Sequence, residues 1–219
     1  EDLIIQKKNI YVSQGKTELA IAELQKLKEA YPASAEYPIM MIDVYNETNQ
    51  KEKTKTIYQV LEKDYSSDPH AQVVLAEYYT QQKNTKRANE YMMEVMKNEN
   101  LDAETKIRLL VPSLKILESD STEDRERILG MAKTIADESP DNKDALGLYG
   151  DLLVFAKKND EALVQFKKYL AIDQSKFPIW NQVISLYVDK QVMDSVLHYS
   201  NKSIEIFPNN PIPYFFKGI

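Results

Sequence analysis

The chain contains a segment that could in principle bind phosphate, Gly15-Lys16-Thr17, which resembles the end of a phosphate-binding loop. Such a loop needs a glycine five residues earlier and a preceding strand, because its backbone amides cradle the phosphates. Position 10 is Ile, and the surrounding pattern is helical. We therefore interpret these three residues as a turn between two helices.

The other residues that could carry chemistry are equally scattered. The two histidines, His70 and His198, lie far apart without clustered partners, so the sequence predicts no metal site. No nucleophile elbow precedes any serine, and the absence of cysteine excludes a thiol nucleophile or a disulfide framework. The acidic pair Glu123-Asp124 is typical of a solvated helix start. We expect neither an enzyme nor a cofactor.

Composition limits the partner class. The 219 residues carry a net charge of −6, whereas nucleic-acid binding requires a basic surface. No apolar run approaches the roughly 18 residues that a membrane-spanning helix requires. Hydrophobic residues make up 43% of the chain, and glycine and proline are few, which favours helices joined by short turns.

A period of 34 residues determines how these elements are arranged. Tyr11, Tyr45 and Tyr79 follow it, as do Leu146 and Trp180 farther along the chain. Each period contains two apolar stripes at helical spacing, separated by a short polar break. A fixed period of this length indicates stacked helical units, none of which can bury its apolar face alone.

The period defines a single repeat array over residues 1–219. Its units are residues 1–34, 35–68, 69–102, 103–142, 143–176 and 177–210, with a partial unit at 211–219 that reads as the start of another helix. The unit 103–142 is degenerate and has six extra residues. We interpret them as a lengthened first helix, because residues from Lys106 to Leu117 stay apolar and periodic. The alternative is a flexible joint between two sub-arrays.

The repeated positions match those of a known family. The chain resembles the tetratricopeptide repeat, a helix-turn-helix unit of the same length, over nearly its whole extent. The matching residues are Trp180, Leu186, Tyr187 and Pro208 in one unit, Leu146, Gly150, Ala162, Phe166 and Tyr169 in the unit before it, and Tyr11, Ala20 and Pro32 in the first. The resemblance implies an all-α, right-handed superhelical solenoid of antiparallel helix pairs, with about six repeats plus a truncated seventh.

The resemblance also implies a concave groove lined by residues 2, 5, 9, 12 and 13 of each unit. Carried over to this chain, those positions are Asp2, Ile5, Asn9, Val12, Ser13, Glu36, Ile39, Asp43, Asn46, Glu47, His70, Val73, Glu77, Thr80, Gln81, Leu110, Ser113, Leu117, Asp120, Ser121, Asp144, Gly147, Asp151, Val154, Phe155, Pro178, Asn181, Ser185, Val188, Asp189, Ile212 and Phe215. Nine of the 32 are acidic and none is Lys or Arg, although an even spread of the 28 basic residues would place about four there.

Nine of these positions are our candidate partner-binding residues: Asn9, Asp43, Asn46, Glu47, Glu77, Asp151, Phe155, Asn181 and Asp189. The charge pattern predicts a non-catalytic scaffold whose acidic groove binds a neutral or basic segment of a partner protein. Two alternatives stay open: a glycan-binding helical-repeat protein of a bacterial surface, and a non-catalytic part of a larger enzyme or assembly. The chain also resembles repeat proteins exported by Gram-negative bacteria, which favours a periplasmic or cell-envelope location.

Overall fold

A computed structural model describes residues 1–112, 114 and 121–218, and the protein in this part of the chain is entirely helical, without a β-strand. The helices are α1 (Asp2–Ser13), α2 (Thr17–Ala30), α3 (Glu36–Glu47), a 3-10 turn η1 (Lys51–Lys53), α4 (Thr54–Asp64), α5 (Pro69–Gln81), α6 (Thr85–Lys97), α7 (Ala103–Leu110), α8 (Thr122–Glu138), α9 (Lys143–Phe155), α10 (Asn159–Ile172), α11 (Phe177–Asp189), α12 (Met193–Ile206) and α13 (Pro211–Lys217). The predicted fold class is confirmed.

The helix starts follow the sequence period. Second helices begin at Thr17, Lys51 and Thr85 in the first three repeats, and at Asn159 and Met193 in the fifth and sixth, when η1 is counted as the first turn of the second pair. Successive starts in each group are therefore 34 residues apart, as the sequence predicts. The packing of apolar faces thus keeps the same register within each group.

The turn inside each regular repeat has one backbone geometry. Position 15 of the repeat has a positive φ in every case, namely at Gly15 (69°), Asn49 (58°), Lys83 (57°), Lys157 (59°) and Gln191 (57°). The next amide donates to the carbonyl at position 11, for example Lys16 N to Tyr11 O at 2.8 Å and Val192 N to Tyr187 O at 3.0 Å. This left-handed residue with its 6→1 hydrogen bond ends the first helix of the pair and reverses the chain.

The chain divides into two compact units, which we call unit 1 (Glu1–Leu101) and unit 2 (Asp102–Ile219). Each consecutive pair of helices within a unit is in contact. The core of unit 1 includes a cluster of buried residues from α2 and α3, among them Leu24, Leu27 and Met41. In unit 2, Trp180 is 2% exposed and donates its indole N–H to the carbonyl of Gln174 at 3.0 Å. Trp180, one of the residues that match the repeat family, thus lies in the core of unit 2.

The irregular fourth repeat starts as its sequence indicates. Asp102 caps α7 by accepting the amide of Thr105 at 2.8 Å, and Ser121 caps α8 by accepting the amide of Asp124 at 3.2 Å. However, α7 ends at Leu110 instead of continuing to Leu117, because the proline two residues later has no N–H for the helical ladder. Residue 113 and residues 115–120, which include Leu117, lie outside the described residues.

Candidate functional site

Unit 1 contains a cleft between α3, α4 and α5 that brings predicted groove residues together. It has a volume of about 650 Å³ and adjoins a second depression of about 490 Å³, with which it shares Ile39 and Asp43. Groove positions that line one or both are Glu36, Ile39, Asp43, Asn46, His70, Glu77 and Gln81. Three of our candidates, Asp43, Asn46 and Glu77, therefore face a single cleft.

The carboxylates in this cleft influence one another. Partial burial raises the pKa of Asp43 above its ordinary value, and the negative charges of Glu47 and Glu77 raise it further, while Lys8 acts in the opposite direction. Burial likewise raises the pKa of Tyr58, with added contributions from Glu77 and Asp43. A positive charge entering this cleft would relieve the repulsion between the carboxylates.

Two tyrosines form a wall of the cleft that the groove pattern missed. The rings of Tyr58 and Tyr78 stack with centroids 3.9 Å apart and planes tilted by 20°. Tyr78 also meets Tyr79 edge to face at 5.2 Å. They occupy positions 24 and 10 of their repeats, which our groove list does not include. Their signal in the sequence was the unusual number of tyrosines, 14 in all.

The cleft is less uniformly acidic than the groove positions suggested. Lys51 of η1 and Lys55 of α4 line it together with Glu52. The inferred groove contains residues of first helices only, whereas the cleft also takes side chains from the start of a second helix. The acidic groups Asp43 and Glu77 belong to α3 and α5, and the two lysines lie along α4 and its 3-10 turn.

Other inferred groove positions are in the core and cannot contact a partner. Leu110 is 0% exposed and Val73 is 5% exposed. Gly147 is also buried, and a Cβ placed there would lie 3.3 Å from the ring of Tyr169. These positions are not accessible to a partner because close contacts between helices bury them. Three further positions, Ser113, Leu117 and Asp120, lie outside the described residues.

The remaining candidates are distributed over α1, α3, α9 and α11. Asn9 and Glu47 are exposed and do not line the cleft, although the charge of Glu47 acts on Asp43. In unit 2, Asn181 is half-buried and Asp189 is exposed. Partial burial raises the pKa of the Asp151 carboxyl.

Phe155, one helical turn after Asp151, lines a separate pocket of about 300 Å³ in unit 2. This pocket is formed by α8, the end of α9 and the turn that leads into α10. Its volume lies at the lower end of the range for ligand sites. Phe155 is thus the one of our nine candidates that lines this pocket in unit 2.

The described residues contain no cluster of three histidine, aspartate or glutamate side chains that could hold a metal ion. None of the helices in the described part of the chain has the length and apolar character needed to cross a membrane.

Comparisons with known proteins agree with the fold. A tetratricopeptide repeat model matches residues 9–34. No curated protein matches the chain. Among solved structures, the chain is similar to YrrB, described as a TPR protein with an unusual peptide-binding site, with a TM-score of 0.62 and 19% identity over 90% of this chain and 98% of that one.

Two further solved structures share the architecture. Similarity to PilF of Pseudomonas aeruginosa gives a TM-score of 0.56 and 17% identity, covering 99% of this chain and 96% of PilF. The C-terminal part of a TPR repeat-containing protein from Cytophaga hutchinsonii gives 0.62 and 9%, with coverages of 93% and 79%. The helix pairs, their 34-residue period and the matched segment together support a tetratricopeptide repeat fold for the chain.

Proposed function

We propose that the protein is a non-catalytic interaction scaffold and that unit 1 binds an extended, neutral or basic segment of a partner protein in the cleft between α3, α4 and α5. The tetratricopeptide fold is a general protein–protein interaction scaffold, and YrrB, which shares the fold, is described as having a peptide-binding site. Neither fact assigns a partner, so the proposal depends on the cleft itself.

The observation that carries the proposal is the convergence of Asp43, Asn46 and Glu77 beside the stacked Tyr58–Tyr78 pair. An asparagine amide can both donate and accept, so Asn46 suits the backbone of an extended segment. The carboxylates suit a lysine or arginine side chain, and tyrosine rings supply apolar contact with its aliphatic stem.

The charges in this cleft contribute more to the choice between peptides than to the strength of binding. The Asp43 carboxyl is partly desolvated and the half-buried Glu77 lies in the same cleft, so a cation placed beside Asp43 is attracted more strongly than in open solvent. Lys51 and Lys55 oppose an excess of positive charge at one side of the cleft. We therefore expect a segment with a few basic residues to bind better than a densely basic one.

The test uses three fluorescein-labelled peptides of equal length with positive, zero and negative net charge, and measures fluorescence anisotropy. The basic peptide should bind most tightly, and its affinity should fall as salt is raised. The double variant Asp43→Asn/Glu77→Gln should weaken that binding about fivefold to tenfold, in line with the loss of two partly exposed ion pairs.

The matched control is Glu29→Gln/Glu94→Gln, which removes the same charge from exposed positions of unit 1 outside the cleft. It should leave the affinity within about twofold of the wild type, since salt screens the interaction between these exposed charges and a peptide in the cleft. Preference for the acidic peptide, or equal losses in both double variants, would overturn the proposal.

A further inference from the structure

The pocket in unit 2 has a different chemical character from the cleft in unit 1. Its apolar wall comes from Leu129 of α8 together with Leu152 and Phe155 of α9. The Phe155 side chain is 49% exposed, so its ring faces the pocket opening as well as the protein. This wall offers a continuous apolar surface to a small ligand.

Basic groups surround that apolar wall. The guanidinium of Arg125 lies 5.5 Å from the centroid of the Phe155 ring, and Lys157 and Lys158 follow Ala156, the C-cap of α9. Glu126 is the one carboxylate among the described lining residues, so cations there outnumber anions by three to one. Lys158 has a long contact of 3.9 Å with Glu161, while Lys157 forms no ion pair with any residue in the described part of the chain.

The two lysines are held in place by their backbone. Lys157 has the left-handed φ of 59°, its amide donates to Val154 O at 2.9 Å, and the amide of Lys158 donates to Leu153 O at 2.8 Å. The backbone attachment points of both exposed lysines are therefore fixed at the edge of the pocket.

We propose that this pocket binds a small organic carboxylate with an aromatic or branched aliphatic body. The body contacts Leu129, Leu152 and Phe155, and the carboxylate lies toward Lys157 and Lys158. The volume of about 300 Å³ accommodates a ligand the size of an arylalkanoic acid, not an extended peptide. This site is separate from the cleft in unit 1 and has the opposite charge preference, so the carboxylate site and the peptide cleft can be tested independently.

The probes are 3-phenylpropionate and its neutral amide, which have the same apolar body. Binding is measured by ligand-observed NMR and by calorimetry on the full chain. We expect the carboxylate to bind about threefold to fivefold more tightly than the amide, the preference that exposed cations confer. The variant Phe155→Ala should weaken the binding of both probes about tenfold, because it removes most of the apolar contact.

The charge variant is Lys157→Gln/Lys158→Gln. It should not disturb the turn, since glutamine already stands at the equivalent positions of other repeats, as Gln191 and Gln50. It should abolish the preference for the carboxylate while binding of the amide stays unchanged. The control Lys83→Gln/Lys16→Gln removes the same charges from the same turn positions in unit 1 and should retain the preference.

Three results would overturn the inference: no detectable binding of 3-phenylpropionate, equal affinity for the acid and the amide, or a preference that survives Lys157→Gln/Lys158→Gln. A bound carboxylate that is equally weakened by the control variant would also overturn it. Because Asp43→Asn/Glu77→Gln lies in unit 1, it should not change the affinities for 3-phenylpropionate or its amide. A negative result in the peptide experiment therefore does not affect the outcome of this one.

Discussion

The third and fifth repeats use the same helix-pair geometry but are held together by different chemistry. In the third repeat, the hydroxyl of Tyr79 donates to both carboxylate oxygens of Glu62 at 2.8 and 2.9 Å, and that of Tyr91 donates at 3.2 Å. Arg87 pairs with the same carboxylate and lies over both tyrosine rings. Here a charged group on α4 of the second repeat, Glu62, organises the contact with α5 and α6 of the third.

In the fifth repeat, a contact at two other positions of the helix pair depends on shape. Gly150 of α9 faces the fully buried ring of Phe166 on α10, and an added Cβ would lie 2.5 Å from that ring. In the sixth repeat the two equivalent positions are Ile184 and Ser200, both fully buried, so the large and small residues have exchanged places. The period determines which positions of the two helices are in contact, and either position can carry the large residue if the other carries a small one.

The largest expected effect comes from breaking the shape-based contact. Gly150→Ile should destabilise the protein by about 3 kcal/mol or more, because the ring of Phe166 has no free space to move into. The double variant Gly150→Ile/Phe166→Ser recreates the pair seen in the sixth repeat and should recover a large part of the loss. Denaturant unfolding followed by Trp180 fluorescence, which reports on unit 2, measures both.

Gly130→Ile is the matched control for that substitution. Gly130 is exposed in α8 and a Cβ there meets no atom within 4 Å. The control should change the free energy of unfolding by no more than about 1 kcal/mol. A loss in Gly130→Ile as large as that in Gly150→Ile would show that the contact with Phe166 is not what destabilises Gly150→Ile.

A smaller effect should appear when the polar contact is titrated. Burial, followed by the nearby charge of Glu62, raises the pKa of Tyr91 to about 12. A tyrosine whose pKa is raised on folding stabilises the folded state below its unfolded pKa of about 10, and that stabilisation is lost as pH rises through the folded value. Tyr91→Phe should therefore lose about 2 kcal/mol less than the wild type between pH 9 and pH 12.

Unfolding curves at a series of pH values, recorded by circular dichroism, measure this difference. Tyr214→Phe is the control, since Tyr214 is 48% exposed and lies outside the network. The contact between Gly150 and Phe166 contains no titratable group and should be insensitive to the same change in pH. Identical alkaline losses in the wild type and Tyr91→Phe would contradict the expectation.

The smallest effect concerns the turns that both repeats share. Lys83 of the third repeat and Lys157 of the fifth have nearly the same positive φ, which glycine adopts without steric cost. Lys83→Gly should stabilise the protein by up to about 1 kcal/mol, as relief of left-handed strain exceeds the added freedom of the unfolded chain. Thermal unfolding measures it, and a lower melting temperature would show that the lysine side chain contributes contacts of its own.

The sequence period was sufficient to predict the helix pairs, because Tyr11, Tyr45 and Tyr79 mark the same point of each repeat. Trp180, which follows the period, is buried, and the residues that cap α7 and α8 are of types that favour helix starts. These features depend on local chemistry and on apolar spacing, both of which are visible in a single sequence.

The candidate site was predicted less completely. Asp43, Asn46 and Glu77 converge on one cleft, but the stacking of Tyr58 on Tyr78 requires contact between two different repeats, which a position list for single helices does not contain. Lys55 enters the cleft from the start of a second helix, whereas the position list contains only first-helix positions. The sequence period is interrupted in the fourth repeat and could not guide the prediction there. The end of α7 before Pro112 and the burial of Leu110 depend on how that repeat packs.

The repeated turn has a consequence for how such a chain can change over evolutionary time. Of the five left-handed turn positions, glycine occupies one, and the segment that matches the family model, residues 9–34, contains that glycine. The other four turns retain the backbone hydrogen bonds with Asn, Lys or Gln in its place. The backbone conformation of the turn is therefore conserved between the repeats of this chain more strictly than the residue type, since a hydrogen-bonded turn tolerates substitutions that remove sequence similarity.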